Sequence, residues 1–136
     1  MHKDYQKCNA AAQVTDKNSV YWYWSHILNL RKRFADIFVY GSFEIVSPDH
    51  PDVFAYARIS SAGSALIVTN FRSQEALWTP PVPLPPHWTG MGGAGKVVLS
   101  NYNSSSDRDL VFGESMTLRP LEAFVWIRES IPLSSP

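Results

Sequence analysis

Paired acidic residues are the first feature of this sequence that could do chemistry. Two pairs lie close along the chain: Asp49 with Asp52, and Asp107 with Asp109. Two carboxyl groups held about 5–5.5 Å apart on a rigid scaffold can cleave a glycosidic bond with retention of configuration. Both pairs lie in polar, turn-like sequence, however, which favours a role as solvated turn and cap residues. Glu44 and Glu122 fall on predicted strands with nothing to mark them as a pair, so we predict no catalytic residue in this chain.

Metal-binding and nucleophilic arrangements are also missing from the sequence pattern. The four histidines are widely separated and lack the spacing of metal ligands: His2, His26, His50 and His87. Cys8 has no nearby histidine and no second cysteine, so we do not expect it to act as a nucleophile. The glycine-rich run 90–95 follows prolines rather than a strand and lacks the Gly-Lys-Ser/Thr ending of a phosphate-binding loop. We therefore predict neither a metal site nor a cofactor.

Aromatic side chains offer two interpretations. A set of rings could stack on sugars if the rings were exposed and coplanar: Trp78, Trp88, Tyr102 and Trp126. Packing in the core or under loops is the alternative that we favour. The proline-rich stretch within 79–95 removes backbone donors and fixes φ, which predicts a rigid connecting loop. It has no flanking basic residue that would anchor a proline-binding partner.

Composition narrows the class of protein. The chain has 136 residues, of which 45% are hydrophobic and 18% charged, which is typical of a globular domain. Twelve basic residues balance twelve acidic ones, so charge gives no reason to expect nucleic acid or a membrane as partner. The polar N-terminus shows no apolar signal segment, which favours a cytoplasmic location. A lone cysteine excludes an internal disulfide framework.

One long helix is predicted in the first part of the chain. Residues 1–15 show no period and are expected to be irregular. From Val20 to about Phe34 there is no glycine or proline. Residues on one stripe recur at spacings of three and four: Val20, Trp24, Ile27, Leu28, Arg31 and Ala35. Asp16, Asn18 or Ser19 could cap the N-terminus. A stripe of this kind predicts a helix that packs on a large apolar partner.

Short strands follow the helix at intervals of about ten residues. The predicted strands are 37–40, a segment around 43–45, 53–59, 65–70, a weaker one at 76–79, 96–100, 116–118 and 122–127. In 53–59, alternation places Phe54, Tyr56 and Arg58 on one face of the strand. The predicted fold is mainly β, an antiparallel β-sandwich preceded by one long α-helix.

Several segments in order resemble the glycoside hydrolase family 13 α-glucosidases, the maltase and oligo-1,6-glucosidase group. The run NAAAQVTDKNSV (9–20) resembles the segment after that family's eighth barrel strand, LNLRKRF (28–34) its last barrel helix, and FVYGSF (38–43) the beginning of its C-terminal β-domain. The runs VFAYAR (53–58), LIVTNF (66–71), VVLSNY (97–102) and LRPLEAF (118–124) are similar to its successive strands. The similarity is closest to fungal maltases, which suggests a fungal source.

The resemblance implies a division of the chain and a function for the parent enzyme. Residues 1–36 would be the remnant of a catalytic (β/α)8 barrel, and residues 37–136 a C-terminal β-sandwich domain. The family hydrolyses terminal α-linked glucose, and its three catalytic carboxylates would all precede residue 1. No position matches their motifs, so the chain alone is expected to be inactive.

Two kinds of partner follow from this interpretation. The first is the missing barrel, and the exposed helix face is expected either to dock on that barrel or to self-associate. The second is a ligand, maltose or another α-glucoside. The alternative is a stand-alone carbohydrate-binding or interaction module, which would bind maltose or starch saturably.

Overall fold

The computed structural model describes residues 3–6, 9–81, 95–102 and 110–129, and the chain divides into two compact units between Phe34 and Ala35. The first unit contains a 3-10 helix (Lys3–Gln6), helix α1 (Ala10–Thr15) and helix α2 (Val20–Arg33). In the second unit, the short helix α3 (Ala35–Phe38) precedes strands β1 to β7. Residues 82–94, which include most of the proline-rich stretch and all of the glycine-rich run except Gly95, lie outside the described residues.

Both longer helices of the first unit begin at a side-chain cap. Ser19 caps α2, because its Oγ accepts a hydrogen bond from the amide of Trp22 at 3.3 Å and donates one to the carbonyl of Gln13 at 2.7 Å. The predicted long helix is therefore confirmed, with Ser19 as the cap. The prediction of an irregular N-terminal segment was wrong, because Asn9 caps α1 through a 2.9 Å bond from the amide of Ala12. No helix in the described part of the chain is long and apolar enough to cross a bilayer.

The predicted strand at 37–40 was also wrong, because the chain forms α3 there. The amide of Val39 donates to the carbonyl of Ala35 at 2.8 Å, which is a helical bond. Ile37 is buried, so its apolar side chain is satisfied by packing rather than by strand pairing. Gly41 then brings the backbone so close to Ile37 and Ile59 that a Cβ would overlap their carbonyl oxygens.

The strands form two antiparallel sheets. Their bounds are β1 Ser42–Ile45, β2 Val53–Ser60, β3 Gly63–Asn70, β4 Ala76–Trp78, β5 Lys96–Ser100, β6 Met116–Leu118 and β7 Ala123–Glu129. The large sheet has the order β1-β2-β3-β7-β5, and β4 pairs with β6 in the small sheet. The remaining strand predictions are confirmed to within about two residues at each end.

The core lies between the two sheets. The inner face of the large sheet contributes Val53, Ala55, Ala57, Leu66 and Val68 among others, together with Phe124 and Trp126. The small sheet covers them with Ala76, Trp78 and Leu118, all almost fully buried. The predicted alternation in β2 is observed, since its odd-numbered residues are buried and its even-numbered residues are more exposed.

Identical leucine truncations on the two sheets should separate core packing from surface effects. Leu66 is fully buried on β3, whereas Leu77 on β4 is 64% exposed. We expect Leu66→Ala to lower the free energy of unfolding by about 2–5 kcal/mol, because it leaves a cavity. Leu77→Ala should change it by about 0.5 kcal/mol or less. Urea unfolding measures both, and equal losses would contradict the assigned core.

Candidate functional site

Two acidic residues of the described chain, Asp52 and Glu122, form ion pairs with arginines. Asp52 accepts a short hydrogen bond at Oδ1 from Nε of Arg72, which joins the β1–β2 loop to the residues that follow β3. This contact is the main cause of a raised pKa for Arg72. Asp49 lies exposed in the same loop. Asp107 and Asp109 lie outside the described residues.

Glu44 and Glu122 are separated across the large sheet. Glu44 lies on β1, and Glu122 precedes β7, with β2 and β3 between these strands. Three strand spacings of about 4.8 Å give a separation of about 14 Å. This is well beyond the 5–5.5 Å that a retaining glycosidase requires.

The most polar buried arrangement is the turn between β6 and β7, where the sequence LRPLEAF lies. Glu122 is fully buried, and its carboxylate accepts hydrogen bonds from the backbone amide of Arg119 at 2.7 Å and from the guanidinium of Arg119 at 2.7 and 3.2 Å. The hydrogen bond to Glu122 is the largest cause of a raised pKa for Arg119. A carboxylate held in this way stabilises the turn.

Further contacts hold the same turn in place. Leu121 adopts a positive φ of 53°, which is uncommon for a non-glycine residue. Its amide donates to the carbonyl of Arg72 at 2.8 Å, and its carbonyl accepts from Nδ2 of Asn101 at 2.8 Å. Tyr102 donates its hydroxyl to the carbonyl of Pro120 at 2.6 Å and lies under the guanidinium of Arg119, 3.9 Å from the ring centroid.

The histidines of the described chain do not meet at a metal site. No group of three potential metal ligands is found among the described residues. His26 lies on α2 with its ring 6.3 Å from that of Trp22. His50 is bonded on both ring nitrogens, since Nδ1 accepts from the amides of Asp52 and Val53 and Nε2 lies 3.0 Å from the carbonyl of Leu77. His2, His87 and Cys8 lie outside the described residues.

The tryptophans considered as a sugar-binding platform are in the core where the structure describes them. Trp78 is 1% exposed and Trp126 is 4% exposed. Nε1 of Trp78 donates to the hydroxyl of Ser47 at 3.0 Å, which satisfies its polar atom. Tyr102 is covered by Arg119, and Trp88 lies outside the described residues. The packing interpretation therefore holds for Trp78 and Trp126.

A cluster of exposed aromatic rings occupies the opposite face of the large sheet, and the sequence reasoning did not identify it as a surface. We call it the outer aromatic patch and define it as Phe43, Ile45, Phe54, Tyr56 and Phe71. Ring centroids are 5.1 Å apart for Phe43 and Tyr56, 5.5 Å for Phe54 and Tyr56, and 6.4 Å for Phe54 and Phe71. The alternation in β2 indicated that Phe54 and Tyr56 share one face of the strand. The β1–β2 register was needed to place Phe43 on the same face of the sheet.

Replacing the buried carboxylate tests the structural role of the β6–β7 turn. We expect Glu122→Gln to lower the free energy of unfolding by about 1.5–3 kcal/mol, because charge-assisted hydrogen bonds to Arg119 are lost. The matched control is Glu114→Gln at an exposed turn position, which should change stability by about 0.5 kcal/mol or less. Urea unfolding measures both variants. A Glu122→Gln variant as stable as its control would contradict this role.

Comparison with known proteins gives relatives along nearly the whole chain, although no protein-family model matches it. The chain is 34% identical over 124 residues to trehalose-6-phosphate hydrolase of Bacillus subtilis, which is 90% of this chain and 20% of that protein. It is 36% identical over 121 residues to α-glucosidase of Schizosaccharomyces pombe, 88% of this chain and 19% of that protein. Oligo-1,6-glucosidase of Bacillus cereus is 27% identical over 126 residues.

Solved structures share the fold. Trehalose-6-phosphate hydrolase of Bacillus licheniformis superposes with a TM-score of 0.78 at 23% identity, over 96% of this chain and 22% of that chain. Isomaltulose synthase of Klebsiella sp. LX3 superposes with a TM-score of 0.75 at 23% identity, over 94% of this chain and 21% of that chain. In both comparisons the chain spans about a fifth of the relative's length.

Proposed function

Because this chain is homologous to the C-terminal part of the α-glucosidases, oligo-1,6-glucosidases and trehalose-6-phosphate hydrolases of glycoside hydrolase family 13, we propose that it serves as the non-catalytic C-terminal part of an α-glucosidase of the maltase type. The parent enzyme would hydrolyse terminal α-linked glucose in carbohydrate metabolism. The observation that carries this proposal is the ordered similarity along about nine tenths of the chain, with 36% identity to the α-glucosidase of Schizosaccharomyces pombe.

Within the parent enzyme, residues 1–36 belong to the barrel and the β-sandwich braces it. Helix α2 supports this assignment, because its apolar stripe is largely exposed: Val20 by 64%, Trp24 by 57% and Leu28 by 52%. Burying a large apolar side chain of this kind stabilises a protein by about 1.5–3 kcal/mol. An exposed stripe of this size indicates a missing partner, and docking on the barrel or self-association of the chain would cover it.

We expect the chain alone to hydrolyse no glycoside. Two observations support this expectation: Asp52 and Glu122 are held in ion pairs with Arg72 and Arg119, and the strand of Glu44 lies three strand spacings from β7, which Glu122 precedes. The measurement is release of the coloured leaving group from an aryl α-glucoside by purified chain, with the Schizosaccharomyces pombe α-glucosidase as positive control. Hydrolysis of the aryl α-glucoside that increases with the amount of chain would contradict this prediction.

A stand-alone carbohydrate-binding module is the rival function. Trp78 and Trp126 do not supply its platform, because both are buried in the core. Among the exposed rings of the described residues, the phenylalanines of the outer aromatic patch lie close enough together to be considered for that role. Isothermal titration of the purified chain with maltose separates the two functions. A saturable heat of binding would favour the module, and its absence is expected for a domain that braces a barrel.

A further inference from the structure

The loop between β1 and β2, residues 46–52, connects the large sheet to the small sheet through side-chain hydrogen bonds. The hydroxyl of Ser47 accepts a hydrogen bond from Nε1 of Trp78 at 3.0 Å. The ring of His50 lies 3.0 Å from the carbonyl oxygen of Leu77. Both contacts reach β4 of the small sheet, so a change in one of these loop side chains would loosen a connection between the two layers of the sandwich.

His50 can form its hydrogen bonds in only one form of the ring. Nδ1 lies 3.2 Å from the backbone nitrogen of Asp52 and 3.0 Å from that of Val53. Because both amides are donors, Nδ1 must accept and carries no proton. The carbonyl of Leu77 is an acceptor only, so Nε2 carries the proton and donates it. The geometry therefore assigns a neutral imidazole with its single ring proton on Nε2.

A second proton on His50 is incompatible with these bonds. A proton on Nδ1 converts the acceptor of two backbone amides into a donor, and three N–H groups would then face one another without an acceptor. Histidine is the side chain that ordinarily changes its charge between about pH 5 and 8. His50 is half-buried and lines a shallow surface cleft of about 190 Å³, so protons from the solvent can reach its ring.

The charged side chains near His50 offer an imidazolium ring a different partner. Its own loop carries Asp49 and Asp52, and the connection between β3 and β4 carries Arg72 and Glu75. Asp52 is paired with Arg72, whereas Asp49 and Glu75 are exposed to solvent. A charged ring could bond to one of these carboxylates only by turning away from the two backbone amides that Nδ1 now accepts from. Either response to the second proton would release the loop from its present bonds.

We propose that His50 is a proton-sensitive latch, in which the neutral ring holds the β1–β2 loop against β4 and uptake of a proton at mildly acidic pH releases it. The sign follows from the bonds. Because the two amide bonds to Nδ1 require the neutral ring, the stabilisation is present at neutral pH and is lost as the pH falls through the range in which histidine is protonated. This acid sensitivity belongs to the domain itself and does not depend on the activity of a parent enzyme.

Amide hydrogen exchange of the purified chain at about pH 7.5 and about pH 5 tests the latch. NMR gives a protection factor for the amides of Asp52 and Val53, which compares each exchange rate with that of an unstructured chain at the same pH. The test variant is His50→Asn, because the asparagine oxygen can accept from the same backbone amides but takes up no proton. The matched control is His26→Asn, at an exposed position on α2. Circular dichroism checks that each variant folds.

We expect the protection of both loop amides to fall about tenfold or more from neutral to acidic pH in the unsubstituted chain and in the His26→Asn control, because the released loop opens locally. In His50→Asn the same amides should change by less than about twofold. Equal protection at both pH values in the unsubstituted chain would overturn the proposal. An equal fall in His50→Asn would also overturn it, since a group other than His50 would then control the loop.

Nitrogen NMR of the His50 ring gives a second test that needs no variant. At neutral pH we expect the ring proton on Nε2 and a scalar coupling between Nδ1 and the backbone nitrogen of Val53 across their hydrogen bond. This coupling should vanish at acidic pH. A ring that carries its proton on Nδ1 at neutral pH, or a coupling that persists at acidic pH, would contradict the latch.

Discussion

A five-stranded sheet has two faces, and the two-stranded sheet of this domain covers only one of them. The covered face supplies the core, where small residues of β2 lie beside Trp78, Phe124 and Trp126. The other face is not polar throughout, because β1 and β2 alternate Phe43, Ile45, Phe54 and Tyr56 onto it. Part of this face is covered, since Ala65 and Ile127 are buried on it and α3 contacts β2 and β3. The domain therefore has a core on one face of the large sheet and exposed aromatic rings on part of the other.

The turn between β6 and β7, which carries the sequence LRPLEAF, links the two sheets of the domain. The two elements belong to different sheets, so this turn connects the layers across the core. Glu122 holds the backbone amide and the side chain of Arg119, and this bonding supports the positive φ of Leu121 between them. The buried carboxylate of Glu122 thus stabilises the crossing between the two sheets.

Sequence reasoning predicted the strands well, because alternation and turn residues are local signals. Val53–Ser60 and Lys96–Ser100 were placed within about one residue. It failed at residues 37–40, since burial of Ile37 against the sheet overrides a strand-like apolar run. It also missed the outer aromatic patch, because Phe43 and Phe71 join Phe54 only through strand pairing and loop geometry. The buried state of Glu122 likewise depends on contacts that no local pattern encodes.

The proposed function depends most on whether this chain is one part of a larger α-glucosidase. Sequencing the transcript upstream of the Met1 codon tests that claim directly. We predict a continuous reading frame that encodes a (β/α)8 barrel with carboxylates at the ends of its strands, where such barrels hold their active sites. A stop codon and a true 5′ end immediately upstream would contradict the claim, and the carbohydrate-binding module would become the better interpretation.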